Sequence, residues 1–405
     1  MFEPGLRLDL PIRVPTSGAD ERSATTLICF SHLRWGFVFQ RPQHLLTRAA
    51  RHYRVIFVEE PGFEAIAAPR LDLIEVSGGI TVAVPHLPQG TGEAQAEAMQ
   101  RDLIDTLLAE TGGDRQIFWY YTPMAVGFTD HHRPDLCVYD CMDELSAFRF
   151  ASPNLVERER RLFGLADLVF TGGQSLYEAK KDRHPDVHAF PSSIDVAHFG
   201  RARQRGVSEP ADQAPIGHPR LGFFGVIDER IDLDLLAAVA DLRPDWQLVM
   251  LGPVAKIDPA LLPRQPNIYW LGGKPYEQLP DYLRGWEVGL MPFAVNEATR
   301  FISPTKTPEF LAAGVPVVST PIVDVVRSYE EAGLVEIAAD TATMVAKAEA
   351  VLGRPKGPWL TRVDAKLAGM SWDKTWNTMQ AVMDAKLHAG RRPAKSAGAR
   401  EAAHV

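Results

Sequence analysis

The sequence predicts an α/β protein built of two doubly wound, Rossmann-like domains that face each other across a cleft. Three observations lead there. Short β-rich runs alternate with helix-like stretches along almost the whole chain, the pattern of parallel strands covered by helices. A chain of 405 residues is too long for one ordinary domain and suits two of ~150–200 residues each. Between two series of such alternations lies RARQRGVSEPADQAPIGHP, a polar stretch rich in Pro and Gly that reads as a linker.

In the first series the strand candidates are TTLICFS, RVIFVEE, QIFWYY, LCVYD and DLVFTGG, rich in β-branched and aromatic residues. LDLIEV and ITVAVP read as an added hairpin that turns at Ser77-Gly78-Gly79. Helix-like segments such as RPQHLLTRAARH, EAQAEAMQRDLIDTLLAE and NLVERERRLFGLA fall between them. The second series contains LGFFGV, WQLVMLG, NIYWLG, VGLMPF and VPVVST. The expected division is a first domain over residues 23–200, a linker over 201–219 and a second domain over 220–370. SWDKTWNTMQAVMDAKLH places Trp372 and Trp376 one turn apart, so a helix over 371–388 is expected to pack back onto the first domain. Residues 389–405 are small and partly basic and are expected to be disordered, and residues 1–22 look similarly loose.

Composition excludes some classes. Apolar residues at 46% and charged residues at 23% are those of a soluble globular chain. A net charge of −8 argues against general nucleic-acid binding, which needs a basic face to displace counterions. No apolar run approaches the ~20 residues of a membrane span, and MFEPGLRLDLPIRVP lacks the order of a signal peptide. Three cysteines (Cys29, Cys137, Cys141) are expected to be reduced and buried in a cytoplasm rather than to bind metal.

Open parallel sheets bind ligands at the carboxyl ends of their strands. On the first wall of the expected cleft, TTLICF opens into SHLRWGFVFQRPQHLL. There Gly36 allows close approach or a left-handed turn, and Arg41 at a helix start suits an anion. Trp35 reads equally well as a sugar-stacking ring or as a plug beneath the loop. His32, His44 and the His131-His132 pair read as surface or satisfied histidines. Asp140, Asp143 and Glu144 gather three carboxylates at one strand end, with Asp143 either capping the next helix or accepting from substrate hydroxyls. On the second wall Arg230 stands at a loop-to-helix junction where a phosphate contact is expected, with pairing to Asp228 or Glu229 as the structural alternative. In SPTKTPEFLAAGVPVVST, Ser303 can cap a helix with Pro304 in its first position, and a start at Thr307-Pro308 fits as well. Ser303, Thr305 and Lys306 then face a diphosphate, and Glu309 can accept from a ribose diol. Neither a dinucleotide fingerprint nor a Walker loop is present.

Taken together, WGFVFQRPQHLL, VYDCMDELSAF, DLVFTGGQSLYEAKKDRHP, FPSSIDVAHF, FFGVIDERIDLDLL and SPTKTPEFLAAGVPVVSTP resemble the GT-B glycosyltransferases, in particular the retaining family 4 type. Family 1/4-like bacterial sugar transferases of the TuaH (teichuronic acid) kind are the nearer likeness, over most of residues 25–385. The resemblance implies a GT-B fold and transfer of a sugar from a nucleoside diphosphate sugar to a glycan or lipid-linked acceptor. It also implies a retaining, metal-independent and cofactor-free reaction in bacterial cell-surface polysaccharide synthesis. The location implied is cytoplasmic, with weak peripheral contact at the inner face of the membrane left open. Carried over by position, Glu309 matches the glutamate that holds the nucleotide ribose, and Ser303 to Thr305 match the loop facing the diphosphate. Arg230 matches the cation that neutralises the leaving group, and Gly36 the glycine of the first loop. Lys306 is expected to add the charge that Val226, in place of the family's arginine, does not supply. Phe301 stands where the first glutamate of E-x7-E would fall, and Tyr121-Thr122-Pro123 where a histidine would. Arg230 and Lys306 are thus the expected catalytic residues; Gly36, Arg41, Asp143, Ser303, Thr305 and Glu309 are the expected substrate contacts. A nucleotide-sugar 2-epimerase and a non-catalytic partner of the same fold are the alternatives.

Overall fold

A computed structural model describes residues 25–111, 114–204, 206 and 208–389. The stretches expected to be loose, 1–22 and 389–405, lie outside the described residues except for Ala389. The first sheet has nine strands: β1 (Thr25–Phe30), β2 (Arg54–Val58), β3 (Gly62–Glu64), β4 (Arg70–Val76), β5 (Ile80–Pro88), β6 (Arg115–Tyr120), β7 (Leu136–Cys141), β8 (Leu168–Thr171) and β9 (Val187–Ala189). Its order is β3-β5-β2-β1-β6-β7-β8-β9, with β4 antiparallel on β5 and the other pairs parallel. Strands β1 and β7 are buried at every residue. That is why they read as continuous apolar runs rather than alternations. The hairpin turns where expected, with Val76 opposite Ile80 and Gly78 and Gly79 at φ +87° and +76°.

The second sheet is parallel throughout, with β10 (Arg220–Phe224), β11 (Gln247–Leu251), β12 (Ile268–Gly272), β13 (Val288–Met291), β14 (Val317–Ser319) and β15 (Val335–Ile337) in the order β12-β11-β10-β13-β14-β15. In both sheets the first strand of the series is flanked by a later strand on each side. The crevices that open beyond β1 and β10 are therefore the switch points at which such sheets take ligands.

Two features differ from expectation. Strands β3, β9 and β15 have three residues each, too short for an apolar pattern to announce them. The polar stretch after residue 200 is also not a free linker. Ile194, Phe199 and Ala202 already belong to the core of the second domain. Gln213 is fully buried, accepting from Trp286 Nε1 at 2.8 Å and donating to the Tyr282 carbonyl at 2.9 Å. A linker glutamine with both ends satisfied by one domain is part of that domain.

The last helix, Trp372–Ala389, lies on the first domain. Trp372, Trp376, Met379 and Met383 pack in one core with Leu45, Trp119 and Phe170, and Asp373 accepts from Arg48 and Arg51 at 3.0 and 2.9 Å. Trp376 is 1% exposed. Trp376→Ala is expected to destabilise the protein by ~3–5 kcal/mol in urea unfolding; a loss below ~1 kcal/mol would show that the helix is an appendage rather than part of the core.

Candidate functional site

The site grows out of two glycines. Gly225 and Gly252 follow β10 and β11 at φ +133° and +151°, conformations that side chains rarely adopt. Each also stands where no Cβ fits. At Gly252 it would lie 1.8 Å from the carbonyl oxygen of Gly225, and at Gly225 it would lie 2.1 Å from Cε of Lys306. The space above the end of β10 is thus given to a lysine from a different element.

That element is the helix Lys306–Ala313, which starts between the two positions expected. Thr305 is its N-cap residue but makes no side-chain capping bond, so Ser303 is not the cap. Pro308 is the third helical residue, where the missing N–H has no acceptor within the helix. Gly314 closes the helix at φ +76°, with the Val315 N–H donating to the Phe310 carbonyl at 2.9 Å. Lys306 and Glu309 are three apart and share one face. Both line a cleft of about 650 Å³, with Gly36 and Phe37 on the opposite wall and Arg230 and Tyr276 nearby. A side lobe of about 90 Å³ adds Arg41, Asp143 and Ser303. Val226, Arg230, Thr305 and Lys306 line both volumes.

The charges here are unusual. Glu309 is 7% exposed, and burial pushes its pKa up to about 7 against the pull of Lys306. Burial lowers the Lys306 pKa in turn, opposed by Glu309. Arg230 is held by Asp228, with Nε donating to Oδ1 and Oδ2 at 2.9 and 3.2 Å and Nη2 donating to Oδ2 at 2.7 Å. Burial works against the Arg230 charge, but the bonds from Asp228 outweigh it and raise its pKa. Nη1 is left on the side that Asp228 does not occupy. The Phe148 ring of the first domain lies 5.4 Å from the guanidinium carbon.

The three carboxylates at the end of β7 separate into distinct roles. Asp140 is buried and paired with Arg41. Glu144 is paired with Lys180 at 2.6 Å. Asp143 lines the side lobe, and burial raises its pKa to about 6 although Arg230, Arg41 and Lys306 pull it down. It caps no helix; the short turn that follows starts from Glu144, without a side-chain cap.

Two expected substrate contacts need correction. Arg41 is 2% exposed and turned inward, donating twice to Asp140 (3.0 and 2.8 Å) and once to the Phe190 carbonyl at 2.7 Å. Its fork is a strut between a helix start and two strand ends, not a free anion ligand. Gly36 is exposed, has no left-handed φ, and an added Cβ would meet nothing within 4 Å. It lines the cleft without being sterically required. Trp35 packs edge-on against Phe57 at 5.1 Å, as a plug beneath the loop, and also lines the cleft. Gly225, Gly252 and Tyr276 were not singled out from sequence, although a glycine directly after each of two strands was a readable signal. Phe301 packs partly against the first domain's core. Val226 stands beside Arg230 in both volumes. Away from the cleft, Asp105 accepts from Nε2 of His131 and His132 at 2.8 and 2.7 Å, and Arg101 donates to His131 Nδ1.

Residues 218–354 match the family described as Glycosyl transferases group 1. The putative teichuronic acid biosynthesis glycosyltransferase TuaH of Bacillus subtilis (strain 168) is 26% identical over 238 residues, 54% of this chain and 59% of that protein. This chain therefore spans less than two thirds of that relative. Sucrose-phosphate synthase from Thermosynechococcus elongatus superposes with a TM-score of 0.65 at 14% identity, over 90% of this chain and 100% of that one. Anabaena HepE, solved in complex with UDP and glucose, superposes with a TM-score of 0.64 at 12% identity, over 90% and 100%. The chain has the GT-B fold, and its likeness to Glycosyl transferases group 1 lies in residues 218–354. In this GT-B protein no helix among the described residues is long and apolar enough to cross a membrane.

The raised carboxyl gives a pH signature. Glu309 binds its proton more tightly folded than unfolded, so its contribution to stability is full below ~4.5 and is lost as pH rises through about 7. Glu309→Gln should therefore gain stability relative to the wild type between about pH 5 and about pH 8 in urea unfolding. A difference between the two proteins that does not change with pH would place the Glu309 carboxylate in solvent.

Proposed function

We propose that this chain is a retaining, metal-independent glycosyltransferase that moves a sugar from a nucleoside diphosphate sugar to a glycan or lipid-linked acceptor in bacterial cell-surface polysaccharide synthesis. The convergence of Arg230, Lys306 and Glu309 on one cleft at the switch point of the second sheet supports this reading. Relatedness to a teichuronic acid glycosyltransferase and the shared fold of a protein solved with UDP and glucose support it further.

When the bond from the anomeric carbon to the diphosphate breaks, negative charge gathers on the leaving oxygen. Lys306 Nζ, Arg230 Nη1 and the first amides of the helix Lys306–Ala313 meet that charge without moving into place. Asp228 keeps the guanidinium oriented for this task. Glu309, buried and without a close ion pair, accepts from the ribose hydroxyls, while Ser303 and Thr305 face the diphosphate. Asp143 accepts from donor-sugar hydroxyls. Arg41 acts through Asp140 and the strand ends rather than on the substrate. In a front-face displacement the departing phosphate oxygen takes the acceptor's proton, so no separate base is demanded. The reaction runs on the cytoplasmic side, at or near the inner face of the membrane where lipid-linked acceptors lie.

A second reading, a non-catalytic partner of the same fold, is favoured by Phe301. It packs toward the first domain where the resemblance would put an acidic contact to the donor sugar. Arg230→Ala and Lys306→Ala are each expected to lower turnover at least ~100-fold, measured as nucleotide release with an acceptor extract and a panel of UDP, GDP and dTDP sugars. Near-normal turnover in both variants overturns the roles given to them. Absence of calorimetric binding to any of these donors favours the non-catalytic reading, and an isomerised donor without acceptor would mark an epimerase.

A further inference from the structure

Tyr276 opens the short turn Tyr276–Gln278 beyond β12 and lies where the two domains and both passages between them come together. Its ring is stacked on two sides. His198, just past the passage from the first domain to the second, lies 4.2 Å away with planes 7° apart. Phe39, from the first domain, lies 4.4 Å away at 23°. Two parallel partners this close can only occupy opposite faces. His44 meets the same ring edge-on at 5.6 Å, and is itself stacked on Trp372, at the second passage, at 4.5 Å and 9°. The His198 Nε2–H donates to the Tyr276 carbonyl at 3.0 Å, which fixes the clamp from behind.

Phe39 belongs to the segment from Trp35 to Gln40, every residue of which lines the cleft. The near end is tied to the first domain by Trp35 N–H donating to Glu59 at 2.8 Å, and Gln40 N–H donates to Gln43 at 3.0 Å. Among the described residues the Phe39 ring, 37% exposed, meets only His44 edge-on at 4.7 Å within its own domain and stacks face-on with Tyr276 alone. The Tyr276 hydroxyl is buried and has no hydrogen-bond partner among the described residues. The ring, not the hydroxyl, makes the connection.

We propose that Tyr276 is a positioning residue: its ring, clamped by His198, is the seat that holds the first domain's Trp35–Gln40 loop over the cleft beside Glu309. What the loop covers depends on the reading of the cleft as a nucleotide-sugar site; the seating does not. The loop reaches its place only when the second domain presents the ring, so the wall facing the donor is built from both halves at once.

Hydrogen–deuterium exchange on the full-length wild type, Tyr276→Phe, Tyr276→Ala and Phe39→Ala, with and without UDP, tests this. Amides of the Trp35–Gln40 loop should exchange at least ~10-fold faster in Tyr276→Ala and Phe39→Ala, and at the wild-type rate in Tyr276→Phe, with β10 to β15 unchanged. A wild-type loop rate in Tyr276→Ala overturns the proposal. So does loosening in Tyr276→Phe equal to that in Tyr276→Ala, because it would give the role to the hydroxyl. If Tyr276→Ala loosens the second sheet as well, Phe39→Ala decides, since its half-exposed ring is not part of the core: a faster loop supports the seat and an unchanged one refutes it. Failure of the wild type to bind UDP counts against the nucleotide reading alone, and the exchange rates without UDP still decide the seat.

Discussion

Lys306 lies across a position where residue 225 can have no side chain, and much of the cleft follows from that one exclusion. A Cβ at residue 225 would drive the lysine away from the end of β10, and a Cβ at residue 252 would displace the backbone of residue 225. The two glycines therefore act in series. They let the helix Lys306–Ala313 approach with its first turn over the strand ends, so that its N-terminal dipole, its lysine and its buried glutamate all address one volume. Neither charge is neutralised by a close partner. A protein that buries opposite charges without joining them forgoes Coulomb energy it could have had. The proposed ligand, supplying both an anion and hydroxyl donors, would complement both groups.

Arg230 completes the same economy from the other direction. Asp228 engages one edge of the guanidinium and Phe148 lies against it, which orders the side chain and leaves a further donor free. In the proposed reaction, ordering in advance would matter because charge that develops during bond cleavage is best met by groups that need not reorganise. Asp143 adds a carboxyl whose proton affinity is raised by burial yet restrained by three nearby cations.

Much of this was legible in the sequence, and the reasons differ by element. Long buried strands such as β1 and β7 announce themselves as apolar runs, and the hairpin as alternation around two glycines. Three of the four three-residue strands, β3, β9 and β15, carry no period and went unseen, whereas β14 showed through the longer run VPVVST. That Arg230, Lys306 and Glu309 would line one cleft could be read because loops after strands and helix starts are where open sheets open their crevices. Their partners could not: that Arg41 would spend its fork on Asp140 and the Phe190 carbonyl depends on the sheet order bringing β7 and the end of β9 toward the helix that follows β1, a tertiary fact. The polar stretch after residue 200 misled for a related reason. Polarity marks a linker only when its groups face water, and Gln213 faces Trp286 and Tyr282 instead.

The return of the last helix to the first domain carries a mechanical consequence. The chain passes between the halves twice, once ahead of Ile194 and again just before Trp372, and both passages run by the same aromatic column. Two tethers set side by side define a line, and turning about that line is the motion they oppose least, whereas sliding or twisting would strain both. The cleft is accordingly mounted like a book on its spine, and its pages can part without losing their alignment.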